Sequence, residues 1–259
     1  MRVVRFRHDS SVRTGIADAD GVIRGVSGDL YAGQVATDTI VGHLDEIELL
    51  PPCEPSKILC VGRNYASAVR AKGYPWPNLP FVFLKTPNTL VGPDADVLRP
   101  DGIETFEYEG ELTAVIGKVA SRVSASAALD YVFGYTCGND MTVRDWQAAD
   151  PHWTRAKCSD TLCPLGPWIE TDLDPRDLSV RTVVNGDLHQ DGRTSDMIFS
   201  VGEIIAFISR TMTLYPGDVV LTGTPLGAHP VSDGDLIEVT IEGIGTLRNR
   251  VRQLPPVVP

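Results

Sequence analysis

The chain has 259 residues, 42% of them hydrophobic, and its 34 Asp and Glu residues outnumber its 23 Lys and Arg residues, giving a formal net charge of −11. This length suits one large domain, or one domain with a small appendage. The negative charge disfavours a nucleic-acid backbone or an anionic membrane as the main partner. No apolar run has the length of a membrane span, and the N-terminus lacks the apolar core of a secretory signal, so we predict a cytoplasmic protein.

Five cysteines are scattered along the chain without any C-x-x-C pair, which argues against a disulfide framework and against a structural zinc site. We interpret them as small buried hydrophobic residues in a reducing compartment. They are Cys53, Cys60, Cys137, Cys158 and Cys163.

The first predicted unit, residues 1–53, is a small β-rich domain, because short apolar stretches alternate there with turn pairs such as Asp20-Gly21. The segment PPCEPSK, residues 51–57, is a predicted linker that spans the boundary to the second predicted domain, residues 54–259. This domain opens with a KILCVG strand, a short NYASAVRAKG helix, a proline-rich loop and an FVFLK strand.

Farther along the chain, Asn185-Gly186 predicts a β-hairpin, and a second hairpin is expected near residues 243–245. One longer helix is predicted to begin at Ser200, whose hydroxyl can cap it while Glu203 reaches back. The apolar stripe of this helix comprises Ile204, Ile205, Phe207, Ile208 and Met212. Many strands, few helices and no regular βαβ alternation predict a β-rich α+β fold dominated by mixed sheet.

The segment FEYEGELTAVIGK, residues 106–118, carries acidic residues at alternating positions. On one strand, Glu107, Glu109 and Glu111 would share a face, with neighbours roughly 6–7 Å apart. Two carboxylates at that separation can converge on one hard cation, although a solvated strand face has the same spacing. The same face continues with Thr113 and Val115, so it changes from charged to apolar along the strand. Carboxylates next to buried apolar residues need a partner for their charge.

Asp140 is a possible third ligand, because a strand is predicted to end and a short helix to begin in GYTCGNDMTVRDWQ. Three oxygen ligands leave about three positions for water or substrate, and an all-oxygen set favours magnesium or manganese. The alternative for Asp140 is an ordinary turn or helix-capping aspartate. Arg144 and Gln147 could face one ligand from the next helical turn, or Arg144 could only neutralise a surface acid such as Asp145.

Eight motifs follow one another between residue 57 and about residue 251: CVGRNYA, FLKTPNTLVGP, YEGEL, GYTCGNDMTVRD, WTRAKCSDTLCPLGPW, VVNGD, GDVVLTGTP and IEGIGTLRN. In this order they resemble the fumarylacetoacetate hydrolase family, and within it the bacterial branch of acylpyruvate hydrolases, oxaloacetate decarboxylases and isomerases. The resemblance implies that family's β-rich mixed-sheet fold, a Mg²⁺ or Mn²⁺ site, a small 2-oxo acid substrate and a homodimer.

The resemblance also assigns residues. Its implied metal ligands are Glu109, Glu111 and Asp140. The residues implied to contact the substrate are Arg63, Arg144, Gln147, Lys157 and Thr224.

These assignments suit the chemistry of a 2-oxo acid, which can chelate a metal through a carboxylate oxygen and the keto oxygen, so that the cation stabilises an enolate. Lys157 would act in catalysis by neutralising the substrate carboxylate or the developing charge, whereas outside such a motif it would be a solvated surface lysine. Thr224 lies in LTGTPLG, where a turn can aim a hydroxyl and N–H groups at an anion; a plain turn is the alternative.

One departure from the family concerns catalysis. Hydrolytic relatives carry a His after NYA and a Glu three residues later, and these two activate water; here Ala68 and Ala71 occupy the two positions. Neither alanine accepts a proton, so a general-base contribution of about 10²–10⁴-fold is missing from that route.

Three functions remain open. We favour tautomerisation (isomerisation) or decarboxylation of a 2-oxo acid, which need an electron sink more than an activated water. The second is C–C hydrolysis of an acylpyruvate or fumarylacetoacetate-like substrate with another base, for which His229 in TPLGAHP, and less directly His152, are candidates. The third is a metal-binding pseudoenzyme.

Overall fold

A computed structural model describes residues 1–8, 10–33 and 36–256. The strands are β1 (Arg2–His8), β2 (Ser11–Ala17), β3 (Val22–Val26), β4 (Ala36–His43), β5 (Glu48–Leu49), β6 (Ile58–Gly62), β7 (Phe81–Lys85), β8 (Leu90–Val91), β9 (Asp96–Arg99), β10 (Phe106–Glu107), β11 (Gly110–Ile116), β12 (Val132–Asn139), β13 (Thr142–Val143), β14 (Cys163–Glu170), β15 (Ser179–Val184), β16 (Asp187–Arg193), β17 (Val219–Leu221), β18 (Leu236–Ile241) and β19 (Gly245–Gln253). The α-helices are α1 (Ala66–Ala71), α2 (Arg144–Ala149), α3 (Thr154–Cys158) and α4 (Val201–Ser209). Among these residues, no helix has the length and apolar character needed to cross a membrane.

A twelve-stranded sheet runs in the order β4-β3-β2-β1-β14-β12-β11-β17-β6-β7, with β5 paired to β1 and β8 paired to β14. Most of its neighbouring strands are antiparallel, whereas β17 lies parallel to β6 and β8 lies parallel to β14. A five-stranded sheet, β16-β15-β18-β19-β9, packs on it, and residues of both sheets share one large hydrophobic core. Mixed sheets with few, short helices confirm the predicted β-rich α+β class.

The strands of residues 1–53 belong to the same large sheet as the later strands. β1 pairs with β14 through Arg2 opposite Glu170 and Val3 opposite Ile169. The Val3 side chain is buried in one hydrophobic cluster with Ile58 and Ile169. The amino-terminal region therefore shares a sheet and part of a core with the rest of the chain.

Several local predictions are confirmed. β15 and β16 form the hairpin at Asn185-Gly186, and both residues have the positive φ angles, 52° and 92°, that such a tight turn requires. β18 and β19 form the second hairpin, and Ile241 pairs with Gly245 next to its turn. Ser200 and Glu203 form a capping box at the start of α4.

Two local predictions need correction. The helix that begins after Ser200 ends at Ser209, so Met212 lies beyond it and extends its apolar surface from the following turn. All five cysteines are free and four are buried as expected, but Cys158 at the end of α3 is only half-buried.

The predicted continuous strand through residues 106–118 is interrupted at its acidic part. β10 ends at Glu107 and pairs with β13, whereas β11 begins three residues later and joins the large sheet. Glu109 lies in the link, where its N–H donates to Asn139 Oδ1 at 3.0 Å and its carbonyl accepts the Asp140 N–H at 2.9 Å. The break in pairing thus places Glu109 beside the end of β12.

Candidate active site

Three carboxylates meet at the ends of β11 and β12. One oxygen from each of Glu109, Glu111 and Asp140 lies within 4.8 Å of the other two, and no other group of acidic, His or Cys side chains in the described residues is similarly arranged. The antiparallel register explains the convergence, because Glu111 is opposite Gly138 on β12 and Asp140 follows the last residue of that strand. This all-oxygen set suits a hard divalent cation.

Two cationic side chains pair with these carboxylates from the cleft side. Lys157 Nζ donates to Glu109 Oε2 at 2.8 Å and to Asp140 Oδ2 at 2.6 Å. Arg144 donates to Glu109 Oε1 at 2.8 Å and to Glu107 Oε2 at 2.7 Å. Pairing of this kind compensates the loss of hydration that burial imposes on a charged group.

Lys85 is a further residue of the site, and the sequence did not indicate it. Its buried ammonium group forms an ion pair with Asp140 Oδ1 at 2.8 Å. It also donates to the carbonyls of Met141, Lys157 and Leu162 at 3.0, 2.9 and 2.7 Å. Lys85 therefore joins the segments that carry Asp140 and Lys157. The only signal in the sequence is a lysine ending an apolar five-residue strand, which is equally typical of a surface position.

The two glutamates have opposite pKa shifts. Burial alone would raise the pKa of Glu109, but the charges of Lys157 and Arg144 and their hydrogen bonds outweigh burial and hold this pKa well below its usual range. Burial, followed by the negative charges of Asp140 and Glu109, raises the pKa of Glu111 well above its usual range. Burial alone would lower the pKa of the Lys157 ammonium group, but the negative charges of Asp140 and Glu109 outweigh burial and raise this pKa.

Glu111 shows that the donor set fits a metal ion. Its carboxylate is buried and accepts the Gly223 N–H at 2.6 Å, but no Lys, Arg or His of the described chain forms an ion pair with it. A buried carboxylate without a cationic partner is costly, and a divalent cation among the three acidic residues would supply the missing charge.

An open cleft of about 680 Å³, its entrance included, lies over the carboxylates. We use "floor" for Glu109, Glu111 and Asp140 together with Lys85 and Lys157. The predicted metal and substrate residues that line this cleft are Arg63, Glu109, Glu111, Asp140, Arg144, Gln147, Lys157 and Thr224. Phe83 and Trp153, whose rings are in contact, form part of its apolar wall.

The contacts of the predicted substrate residues differ. Arg144 donates to Gln147 Oε1 at 2.8 Å, so these two side chains form a unit on the cleft wall, and Arg144 does not pair with Asp145. The Thr224 hydroxyl donates to the Gly110 carbonyl and accepts from Gln190, both at 2.8 Å. The turn that carries Thr224 is therefore hydrogen-bonded to the start of β11, the strand that carries Glu111.

Ala68 on α1 lines the cleft, so one of the two positions at which the resemblance implies a His-Glu pair in hydrolytic relatives carries a methyl group on the cleft wall, while Ala71 does not line the cleft. His229 also lies outside the cleft. It borders an adjoining hollow and packs against the ring of His189 at a centroid distance of 5.2 Å. His152 is not part of the cleft lining either. The geometry does not support either histidine as a base acting on a ligand at the floor.

Comparison with known proteins defines the class. Residues 57–252 match the Fumarylacetoacetate (FAA) hydrolase C-terminal family, and residues 1–52 match the Rv2993c-like, N-terminal family. The chain belongs to the fumarylacetoacetate hydrolase family. It is 45% identical to Protein Rv2993c of Mycobacterium tuberculosis, over 97% of this chain and 98% of that protein.

Solved structures agree with this assignment. The crystal structure of 2-hydroxyhepta-2,4-diene-1,7-dioate isomerase from Mycobacterium marinum is 42% identical, with a TM-score of 0.90 over 99% of this chain and 100% of that one. Fumarylpyruvate hydrolase from Pseudomonas aeruginosa, in complex with Mn²⁺ and pyruvate, is 32% identical, with a TM-score of 0.73 over 80% and 92% of the two chains. The predicted fumarylacetoacetate-hydrolase-like fold is confirmed.

Proposed function

We propose that this protein is a divalent-metal-dependent enzyme that tautomerises or decarboxylates a small 2-oxo acid. The observation that carries this proposal is the convergence of Glu109, Glu111 and Asp140 at the base of an open cleft, with Glu111 in need of a cation. A Mn²⁺ or Mg²⁺ ion held by these residues would serve as a Lewis acid that stabilises negative charge on the keto oxygen of the substrate. The Mn²⁺ and pyruvate in the P. aeruginosa relative support this choice.

The remaining chemistry is assigned to the side chains beside the carboxylates. Lys157 stays protonated because its pKa is raised, so it can neutralise the substrate carboxylate or the charge that develops during reaction. Arg144, held by Glu107 and Glu109, orients the Gln147 amide on the cleft wall. Phe83 and Trp153 exclude water from one side of the substrate.

Tautomerisation or decarboxylation is favoured over hydrolysis because of the side chains that α1 and the residue that follows it contribute to the cleft lining. They contribute Ala68, Val69 and Lys72, none of which is a carboxylate or an imidazole that could take a proton from water. Loss of CO₂ from a 2-oxo acid needs stabilisation of the enolate charge that remains and no activated water. In tautomerisation, the proton released from one atom would pass to solvent water in the open cleft and another would be taken up from it.

The test measures enol–keto conversion and decarboxylation of oxaloacetate by metal-stripped protein titrated with Mn²⁺ or Mg²⁺. We expect turnover to depend on the added cation and to fall by at least about a hundredfold in Glu111→Gln, which keeps the acceptor for the Gly223 N–H. Glu104→Gln is the matched control, because Glu104 is an exposed acid on the same segment. Equal turnover with and without metal, or in Glu111→Gln, would contradict the proposal.

The alternatives give different results in the same experiment. Tight metal binding without turnover of any 2-oxo acid would favour a pseudoenzyme. Release of two acids from an acylpyruvate would favour a hydrolase that uses a base other than position 68. Assembly as a homodimer and a cytoplasmic location remain predictions from the sequence.

A further inference from the structure

Two histidine side chains meet in the hollow beside the cleft. His189 lies on β16, and His229 follows the turn that carries Thr224, so the two come from distant segments of the chain. Their ring centroids are 5.2 Å apart and their ring planes are inclined by 63°, an angle that excludes face-to-face stacking. Both side chains are exposed. We call these two residues the histidine pair.

A close backbone contact brings the two rings together. Gly227 has a φ angle of 114°, and a Cβ atom at this position would lie 2.0 Å from the His189 carbonyl oxygen. Because that separation is far inside van der Waals contact, only glycine lets the turn approach β16 this closely. The approach places His229, two residues after Gly227, beside His189.

Buried side chains anchor the two segments that carry the histidine pair. The Gln190 side chain, next to His189, is buried and donates to the Pro225 carbonyl at 2.8 Å. The buried Tyr108 donates its hydroxyl hydrogen to the Gly227 carbonyl at 3.1 Å. The backbone that carries the two exposed rings is therefore ordered before any ligand binds, and this order lowers the entropic cost of binding.

The spacing of the histidine pair matches that of two imidazoles on one metal ion. A zinc–nitrogen bond is about 2.0–2.1 Å long, and the nitrogen lies about 1.1–1.2 Å from the centre of its ring. Two such arms of about 3.2 Å, set at a tetrahedral angle, put the ring centres about 5.2 Å apart. The observed separation is 5.2 Å, so both rings can bind one ion with little change in the distance between them.

The charges around the histidine pair are mixed, so its neutral nitrogen donors decide what binds. Lys72 and Asp191 border the same hollow, and Arg181 donates to Asp191 Oδ1 at 3.0 Å. No carboxylate or thiol of the described residues completes a group of three close donors with the pair, so water would fill the remaining positions on an ion. Imidazole ligands suit zinc, copper and nickel, whereas magnesium and manganese prefer oxygen ligands.

We propose that the histidine pair is a second metal site, separate from the floor, that binds a transition-metal ion of the zinc class. The floor offers carboxylate oxygens to a hard cation, whereas the pair offers two imidazole nitrogens. Pro225, Leu226 and Ala228 line both the cleft and the hollow. An ion on the pair therefore ties β16 to the wall of the cleft that carries Thr224. This inference does not rest on the proposed function.

The test measures Zn²⁺ binding by isothermal titration calorimetry to the full chain without a histidine tag, in millimolar Mg²⁺. We expect a zinc equivalent with a dissociation constant on the order of 10 µM, weaker than a buried four-ligand site because water completes the coordination. This equivalent should remain in Glu111→Gln, in which the floor lacks a ligand. Cu²⁺ should bind the pair more tightly than Zn²⁺, following the general affinity order of these ions.

Single variants test the two residues. His189→Ala and His229→Ala should each weaken this zinc binding by at least about tenfold, because one imidazole alone does not chelate the ion. Both side chains are exposed, so neither variant threatens the fold. His152→Ala is the matched control, because His152 is exposed and lines neither the cleft nor the hollow; it should bind Zn²⁺ as the parent does.

Hydrogen exchange measured by mass spectrometry locates the ion. Zn²⁺ should slow backbone exchange in residues 224–231 of the parent and leave it unchanged in His229→Ala. Zinc binding that is absent from Glu111→Gln, or that survives the loss of both histidines, overturns the second site. Zinc binding that leaves exchange in residues 224–231 of the parent unchanged overturns the link to the cleft wall. Equal turnover in Glu111→Gln and the parent would contradict the proposed function alone, because the zinc titration does not depend on it.

Discussion

The floor and the mouth of the cleft are built in opposite ways. The floor is almost entirely buried, and every charged group in it except Glu111 is paired with an oppositely charged residue from another segment. The three carbonyls that Lys85 contacts, for example, are 56 to 77 residues away. By the mouth we mean Arg63, Lys72 and Tyr74, which line the entrance of the cleft, are exposed and come from the single segment 63–74. Among the described residues, neither Arg63 nor Lys72 has an acidic partner. An unpaired charge costs free energy when it is buried and little when it is exposed, so Glu111 at the floor calls for a cation, whereas Arg63 and Lys72 at the entrance need no partner.

The largest difference between the two regions should be their contribution to stability. Lys85→Met removes the donor for three buried carbonyls and the partner of Asp140, so we expect the free energy of unfolding to fall by about 3–5 kcal/mol. Lys72→Met should change it by no more than about 0.5 kcal/mol, because Lys72 is exposed. Urea denaturation of the metal-free proteins measures both. Similar losses in the two variants would remove the distinction between floor and mouth.

Thiol reactivity should follow the same division. Burial, with smaller contributions from neighbouring charges, raises the pKa of Cys163 to about 12 and that of Cys60 well above its usual range, and Asp140 of the floor is among those charges for both thiols. The reactive thiolate is then scarce at pH 8, so these thiols should react at least about a hundredfold more slowly than an accessible cysteine. Cys158, half-buried at the end of α3, should react first.

A disulfide reagent added to the native protein at pH 8 would measure this as one fast equivalent per chain, followed by four more after denaturation. The variant Cys158→Ser should lose the fast equivalent. Fast labelling of Cys60 or Cys163, identified by mass spectrometry, would show that the floor opens to solvent.

The smallest expected effect concerns the backbone of the mouth. At position 63, where φ is 59°, Gly should give a protein about 1 kcal/mol more stable than Ala, because this left-handed conformation penalises any Cβ. At Arg70, inside α1, the order should reverse by about 0.5–1 kcal/mol, because glycine disfavours a helix. Thermal unfolding of the four variants compares the two positions, and the same order at both would argue against strain at Arg63.

Features whose physics is contained in a few consecutive residues could be predicted from the sequence. The Asn185-Gly186 turn and the capping box of Ser200 and Glu203 are of this kind, because each forms from neighbouring groups alone. The meeting of Glu109 and Glu111 with Asp140 was expected from the order of family motifs; alternating acidic residues by themselves also fit a solvated strand.

Features that depend on pairing between distant strands could not be predicted. The change of partner between β10 and β11 breaks the expected strand at Glu109, and no residue there signals it. Lys85 in FVFLK resembles a strand-end surface lysine, because the carbonyls that bury it belong to other segments. His229, the candidate base for the alternative hydrolytic function, follows the Thr224 turn in sequence, yet its side chain borders a hollow beside the cleft.

The amino-terminal strands cover an edge that the rest of the large sheet would otherwise expose. β1 covers the border of β14 at Ile169 and Glu170, and Val3 belongs to the same buried hydrophobic cluster as Ile58. A chain that began at Lys57 would leave backbone donors and acceptors of β14 open along that border, next to uncovered hydrophobic surface. Open borders of this kind pair readily with other chains, so we expect a chain without residues 1–53 to aggregate more readily than the full chain.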